Sequence, residues 1–263
     1  MWREFRCEWT RLRSRNYLLG GIGLMAVLGF VATLIVFITA TGGSVAAPPG
    51  GQAVSVATLE ASDGMFAGIR LAANMWGIVA LVVWAIFASS DYSNGLIRLL
   101  VQAQPKRLRL LGGKVTALVL YTCIATLATT VVVLLTSPAI ASATGVSAEA
   151  WRTGIANTIL DAYLHLTLSA VMWGFIGLFV GILTRSTGIS IAIGIGYLLV
   201  FEMLFGMLLE GGAKWLPGSS FSTVAAGGTA EMSFTTGLMV AVGYVVVTLV
   251  ITAVTFRRRD ITA

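Results

Sequence analysis

The sequence predicts an all-α, polytopic membrane protein with six transmembrane helices, both termini cytoplasmic, an N-terminal amphipathic interfacial helix and a short cytoplasmic helix between spans two and three. Three observations lead there. Of the 263 residues, 57% are hydrophobic and only 11% charged, against about 25% charged in a soluble globular domain. The apolar residues form long continuous runs rich in Leu, Ala, Val and Gly, each near the ~20 residues a helix needs to cross the hydrocarbon core. A transmembrane β-barrel would instead show alternation over segments of about ten residues. The basic residues also fall in alternate connecting segments: 14 of the 17 Lys and Arg lie before run one, between runs two and three or at the start of run three, between runs four and five, or after run six. Cytoplasmic loops carry that excess, which sets both termini on the cytoplasmic side.

Taken in order, residues 1–16, "MWREFRCEWTRLRSRN", place Trp2, Phe5, Trp9 and Leu12 at spacings of three, four and three, one face of a helix surrounded by arginines. Such a helix lies flat on the cytoplasmic leaflet. Span one, residues 17–41, follows this Arg-rich start as a signal peptide would, but its apolar run is longer than a signal h-region and is read as a permanent span. The outer loop from Gly42 to Ala67 is long, poor in charge and flexible by composition, with no chemistry expected. Span two covers residues 68–89.

Residues 90–107 form the short cytoplasmic helix. Asp91, Ser93 and Asn94 suit a helix start, Leu96, Leu99 and Leu100 make an apolar stripe, and Pro105 stops the helix. Its basic neighbours Arg98, Lys106, Arg107 and Arg109 reach either anionic lipid headgroups or a cytoplasmic partner. Spans three to six cover residues 110–136, 157–183, 188–209 and 235–256. The last outer loop has an apolar middle (Trp215, Leu216, Phe221, Val224) broken by Pro217 and glycines, which suits short interfacial helices. All of this makes one transmembrane domain, residues 1–263.

Candidate chemistry is sparse. Glu202 is the one acidic residue well inside an apolar run, where an ionisable group is costly and either lines a path or finds a polar partner. Asp161 and His165, four apart near the outer end of span four, share a helix face and suit a hydrogen bond or a proton relay. With Glu202 they form the candidate transport path. One histidine beside one carboxylate makes a poor metal site. Gly188, Ala192 and Gly196 put small residues at every fourth position of span five, as "GLFVG" does at Gly177 and Gly181, and permit close helix packing. "LRLLGGK" lacks the first glycine and the Ser or Thr of a phosphate-binding loop, so the chain is not expected to hydrolyse ATP. The lone histidine and the serines of "PGSSF" do not make an intramembrane protease. Cys7 and Cys123 are too few and too far apart in character for a disulfide framework. No catalytic residue and no nucleic-acid partner is expected.

Three stretches together resemble the permease subunits of type 2 ATP-binding-cassette exporters of the short actinobacterial kind. "CEWTRLRSRNYLL" is similar to the family's Glu-Trp-Thr-Lys-Leu-Arg-Ser opening, with Arg11 in place of lysine. "DYSNGLIRLLVQAQPKRLRLLGGK" matches an acidic residue, a Gly-Thr-Leu-Arg type step, a Pro-Ser-Arg type step and a closing Gly-Lys through Asp91, Gly95, Arg98, Pro105, Arg107 and Lys114, departing at Ile97 and Lys106. "GLFVGILTRSTGISIAIGIGYLLVFEMLF" with "WLPGSSFSTV" resembles the family's Arg-Ser turn at Arg185 and its Leu-Pro outer segment. The resemblance implies that residues 90–107 are a coupling helix that docks on a cytoplasmic ATPase, with Arg185 near it and residues 1–16 as an elbow helix. It further implies two such ATPase subunits carrying ATP and Mg, and a second permease copy or a homologous permease packed through spans one and five. The setting would be the bacterial cytoplasmic membrane, with export of a hydrophobic or amphipathic cargo such as a drug, peptide or lipid. A secondary carrier or channel without an ATPase is the alternative, which would show broken helices, an inverted repeat or several intramembrane charges.

Overall fold

The computed structural model describes residues 2–13, 18–42, 54–103, 106–208 and 212–258, and no strand occurs among them. Ten helices set the frame: α1 (Trp2–Leu12), α2 (Gly23–Thr41), α3 (Ala73–Ser93), α4 (Leu96–Ala103), α5 (Arg107–Thr144), α6 (Ile155–Thr184), α7 (Thr187–Gly196), α8 (Glu202–Leu208), α9 (Pro217–Ala226) and α10 (Phe234–Arg258). A π-helical turn, Leu18–Ile22, leads into α2, and another, Tyr197–Phe201, joins α7 to α8. Six helical stretches are long and apolar enough to cross a membrane, the make-up of a multi-pass membrane protein: Gly20–Thr41, Ala73–Ser93, Arg107–Thr144, Ile155–Thr184, Thr187–Gly206 and Phe234–Arg257.

These six are not equivalent. The most apolar windows of α3 and α6 are 56% and 61% buried, whereas that of Thr187–Gly206 is 12% buried. The interior is therefore the α3–α6 pair with α5 beside it, and α2, α7 and α10 lie around the outside. Close approach of α3 and α6 depends on glycine. A Cβ on Gly177 would fall 2.2 Å from the Leu81 carbonyl oxygen and one on Gly181 2.8 Å from that of Ala85. Gly174 and Gly77 make room for the indoles of Trp84 and Trp173. Between helices in lipid, such backbone proximity replaces the hydrophobic drive that operates in water.

The helix ends differ from the sequence reading in instructive ways. Helix α5 runs eight residues past the expected end at Thr136 and carries Pro138 inside it. The turn that proline weakens is held by packing: the Ser137 hydroxyl donates to the Met65 carbonyl at 3.0 Å, and Ile140 and Ala141 are buried beyond it. At 38 residues the helix is about 57 Å long, well over the ~30 Å hydrocarbon thickness. The described part of the outer loop is structured. Leu59 and Phe66 are fully buried, the Trp151 indole donates to the Leu59 carbonyl at 2.9 Å, and Arg70 pairs with Asp63. The last loop does form short helices, but α9 sinks Phe221 and Val224 completely among its neighbours instead of lying at the rim.

Helix α1 packs along the start of α5, where a Cβ on Gly113 would come within 2.7 Å of the Glu4 Cβ. Its buried side holds Leu12 and Glu8, with Phe5 and Trp9 half-buried and Trp2 mostly exposed. The expected apolar stripe is thus displaced by about one residue, and a carboxylate lies inside it.

Candidate functional site

Four charged side chains from three helices meet beneath α4. Glu8 and Arg11, three apart on α1, share a face; Phe87 and Asp91 occupy the last turns of α3; Lys114 stands in the second turn of α5. Arg11 Nη1 lies 2.7 Å from Asp91 Oδ1 and 3.2 Å from Glu8 Oε2. Lys114 Nζ lies 2.6 Å from Asp91 Oδ2, 3.5 Å from Glu8 Oε1, and donates to the Phe87 carbonyl at 3.2 Å. Glu8 and Asp91 are 1% exposed and Lys114 5%. Both cations also stand over the Phe87 ring, at 4.9 and 4.6 Å from its centroid, an attraction that strengthens once water is excluded.

Two anions and two cations make the cluster neutral, which is the condition for tolerating charge in a low-dielectric interior. Arg11 shows the balance. Burial lowers the pKa of its guanidinium, but the facing Asp91 and Glu8 carboxylates outweigh that and hold it above its ordinary value. The cluster binds α1, α3 and α5 into one body, because removal of any partner strands the others.

Helix α4 is rooted in this body by a turn of two residues. The Asn94 N–H donates to the Ser90 carbonyl at 3.0 Å and the Gly95 N–H to that of Tyr92 at 3.1 Å, with Gly95 at φ +68, a backbone region that glycine enters without steric cost. Asp91 and Ser93 therefore belong to α3, and neither caps α4: Asp91 is drawn into the buried cluster, and α3 runs on to Ser93. The short helix is Leu96–Ala103, tighter than residues 90–107. Pro105 lies outside the described residues, and Arg107 begins α5. Of the expected stripe, Leu100 is half-buried while Leu96 is 37% and Leu99 64% exposed; the residue of α4 that turns inward is Ile97, outside that stripe. The Arg98 backbone is helical. Arg107 Nη1 donates to the Phe256 and Arg257 carbonyls at 3.3 and 3.1 Å, placing a cation at the negative end of α10. Arg185, in left-handed backbone at φ 56, sets its guanidinium 5.4 Å from the Tyr92 ring.

So the structure brings Asp91, Gly95, Leu96, Leu99, Leu100, Arg107 and Arg185 to one end of the bundle. The other candidates lie elsewhere. A Cβ added at Gly188 or Gly196 would meet nothing within 4 Å, and Ala192 is exposed, so this stripe faces away from the rest of the chain. Glu202 Oε1 accepts the Ser219 N–H at 3.1 Å, and the carboxylate lies against Gly218, so it caps the first turn of α9. His165 packs on the Phe234 ring, centroids 4.7 Å apart, and on Gly227. No hydrogen bond joins it to the exposed Asp161 among the described residues. No group of three metal-ligating side chains occurs among them either.

Glu8 is not among the residues singled out from the sequence. Its signals there are its i, i+4 relation to Leu12, which packs inward, and its place as the glutamate of the stretch "CEWTRLRSRNYLL".

Comparison with curated proteins finds no match. A family model described as a protein of unknown function, DUF2705, matches residues 50–262. That range takes in α3 to α10, and so Asp91, Lys114 and all of α4, but not Glu8 and Arg11. On that match the chain belongs to the DUF2705 family of proteins of unknown function.

Proposed function

We propose that this chain is the membrane-spanning permease subunit of an ATP-driven exporter of the type 2 ATP-binding-cassette kind, with hydrolysis on two separate cytoplasmic ATPase subunits that carry ATP and Mg. One observation carries the reading. Glu8 and Arg11 come from one stretch that bears the resemblance and Asp91 and Lys114 from another, and the four meet in a single buried cluster at the root of a short helix with exposed Leu96 and Leu99. A helix that receives a push must be tied to rigid elements, or the displacement is absorbed locally. Here α4 is two residues from α3, and α3 is clamped to α1 and α5.

On this reading the basic end faces the cytoplasm of a bacterial cell, α1 rests where bilayer and cytoplasm meet, and α4 docks on the ATPase. A second copy, or a homologous permease, packs against the exposed faces of α2 and α7, including Gly188, Ala192 and Gly196. The spans hold few charges away from this end, which suits a hydrophobic or amphipathic cargo: a drug, peptide or lipid.

The test is to express the chain with its neighbouring genes and purify it through a tag. A stoichiometric ATPase whose turnover depends on this chain supports the reading. A folded, monodisperse chain without one overturns it in favour of a carrier, a channel or a scaffold.

A further inference from the structure

A second ion pair stands apart from the four-charge cluster. Arg70, just before α3, pairs through Nη1 with Asp63 Oδ2. Helix α3 runs from beside Arg70 to beyond Asp91, so about 30 Å of helix separates the pair from the cluster and sets it at the opposite end of the bundle. The short helix that carries Arg70, Ala67–Leu71, packs on α2 through Gly68, where a Cβ would fall 2.5 Å from the Thr33 Cα. From Thr33 to the end of α2 at Thr41 is about 12 Å. The pair therefore sits level with a helix long enough to span the bilayer, not beyond its end, and ionisable groups at that depth are costly unless paired or functional.

This pair is open to the outside. It forms one wall of a cleft of about 170 Å³, lined also by Val54, Thr58, Ala67 and Leu71. The Asp63 and Arg70 side chains are 48% and 19% exposed. The base of the cleft is fixed, because a Cβ on Gly64 would meet the Leu59 carbonyl oxygen at 2.0 Å, and Leu59 and Phe66 are fully buried. Beyond the ion pair the surface is apolar: Leu71 is 46% exposed, and Met75, in the first turn of α3, is 50% exposed.

Size and charge narrow what fits. The cleft holds the volume of about six waters and is smaller than the ~300 Å³ that encloses a whole small ligand, so it admits a polar headgroup and leaves any chain outside, on Leu71 and Met75. The wall presents one charge of each sign, side by side. A net anion is repelled by Asp63 and a net cation by Arg70, whereas a group that carries both signs a few ångström apart meets an opposite charge at each. A phosphate accepts from the guanidinium, and an ammonium, with three N–H donors, donates to the half-exposed carboxylate. We infer that this cleft binds the headgroup of a phosphoethanolamine lipid, with its phosphate at Arg70, its ammonium at Asp63 and its acyl chains along Leu71 and Met75. A choline headgroup has no N–H to give Asp63, and a phosphoglycerol headgroup brings an uncompensated negative charge against it. The site depends on the membrane spans alone and is independent of whether an ATPase docks at the other end.

Native mass spectrometry of the full chain in detergent tests this, with phosphatidylethanolamine, phosphatidylcholine and phosphatidylglycerol of identical acyl chains added in turn. The expected result is a one-to-one phosphatidylethanolamine adduct several-fold more abundant than either of the others. In Asp63→Asn that adduct falls to the phosphatidylcholine level, while Glu231→Gln, at an exposed carboxylate of the last loop, leaves it unchanged. Equal adducts of the three lipids on the unaltered chain, a comparison that needs no variant to fold, overturn the proposal. So does a phosphatidylethanolamine preference that survives Asp63→Asn. Phosphoethanolamine without acyl chains should compete only weakly; competition as strong as the lipid's own would overturn the lipid assignment in favour of a soluble ligand.

Discussion

Lys114 Nζ lies 2.6 Å from Asp91 Oδ2 with both side chains nearly sealed from solvent, and Arg11 and Glu8 complete the neutral set. Neutrality dictates how variants behave. Lys114→Met leaves the buried Glu8 and Asp91 carboxylates facing one guanidinium, that of Arg11, which is 30% exposed, and breaking a buried pair from one side costs about 3–5 kcal/mol. Asp91→Asn alone leaves the excess positive and is damaging in the same way. The double variant Asp91→Asn, Lys114→Met restores neutrality around Glu8 and Arg11 and loses less than the sum of the two. Thermal unfolding of detergent-solubilised protein by size-exclusion survival measures the cycle; strict additivity would show that the four charges do not act together.

The attachment of α1 to α5 rests on Gly113 as much as on charge. A Cβ there falls 2.7 Å from the Glu4 Cβ and 3.1 Å from the Glu4 carbonyl carbon, and backbone contact leaves no side-chain rotamer to relieve it. Gly113→Val should lift α1 from the bundle at a cost of about 1–3 kcal/mol. Deuterium exchange of the α1 amides should then rise while the α3–α6 core stays protected; unchanged protection in α1 would show that its packing tolerates the added side chain.

Much of this architecture is legible from sequence because the bilayer demands it. A helix that crosses hydrocarbon must satisfy its backbone internally over ~20 apolar residues, and those runs stand out. The interior order is not legible. In lipid both faces of a span are apolar, so α6, mostly buried, and α7, mostly exposed, read alike. Asp91 shows a second limit. With Ser93 and Asn94 before a leucine stripe it bears the local signature of a cap, yet its partners are Lys114, 23 residues on, and Arg11 in the first helix. Pairing across elements leaves no local trace, which is also why nothing local marks Glu8 as a partner of Lys114. Glu202 is the reverse case: the cost of its burial marks it at once, but its partner is the backbone of α9, a helix whose depth depends on packing.

Leu99 separates surface function from stability. It is 64% exposed on α4, whereas Ile97, two residues earlier, is 6% exposed. Leu99→Asp should leave the unfolding temperature within the range of an exposed substitution, about 0.5 kcal/mol, and, on the proposed docking role of α4, weaken recovery of an ATPase on the tagged chain. Combined with Arg98→Glu the loss should be complete. Unchanged ATPase binding in the double variant would remove the docking role from α4.

Glu202 works on the opposite end of the molecule. Its carboxylate supplies an acceptor to the first turn of α9, where Leu216 offers no side-chain cap and where the helix dipole favours negative charge. Glu202→Ala should cost about 1–2 kcal/mol, the range for loss of a helix cap, and Glu202→Gln less, since an acceptor oxygen survives. Gly218→Ala should resemble Glu202→Ala, because its Cβ would occupy the carboxylate's place. Melting curves of the three variants decide it: a Gln variant as damaged as the Ala variant would make the charge, and not the hydrogen bond, the stabilising element.

Two pairs of glycines, Gly177 and Gly181 four residues apart and Gly188 and Gly196 eight apart, should respond in opposite ways. Gly177 and Gly181 hold α6 against the carbonyls of Leu81 and Ala85. Gly177→Leu must push two backbones apart, and the overpacking cost of about 1–3 kcal/mol for an ordinary core insertion is a lower bound, since backbone cannot move aside as a side chain does. Gly188 and Gly196 meet nothing within 4 Å, so Gly188→Leu and Gly196→Leu should leave the fold of one chain intact. Light-scattering mass in detergent gives the second readout. If α7 packs against another copy, both leucine variants shift the protein from dimer to folded monomer; a dimer that survives both substitutions would move the contact off this face, and loss of the fold itself would show that α7 is packed within the chain after all.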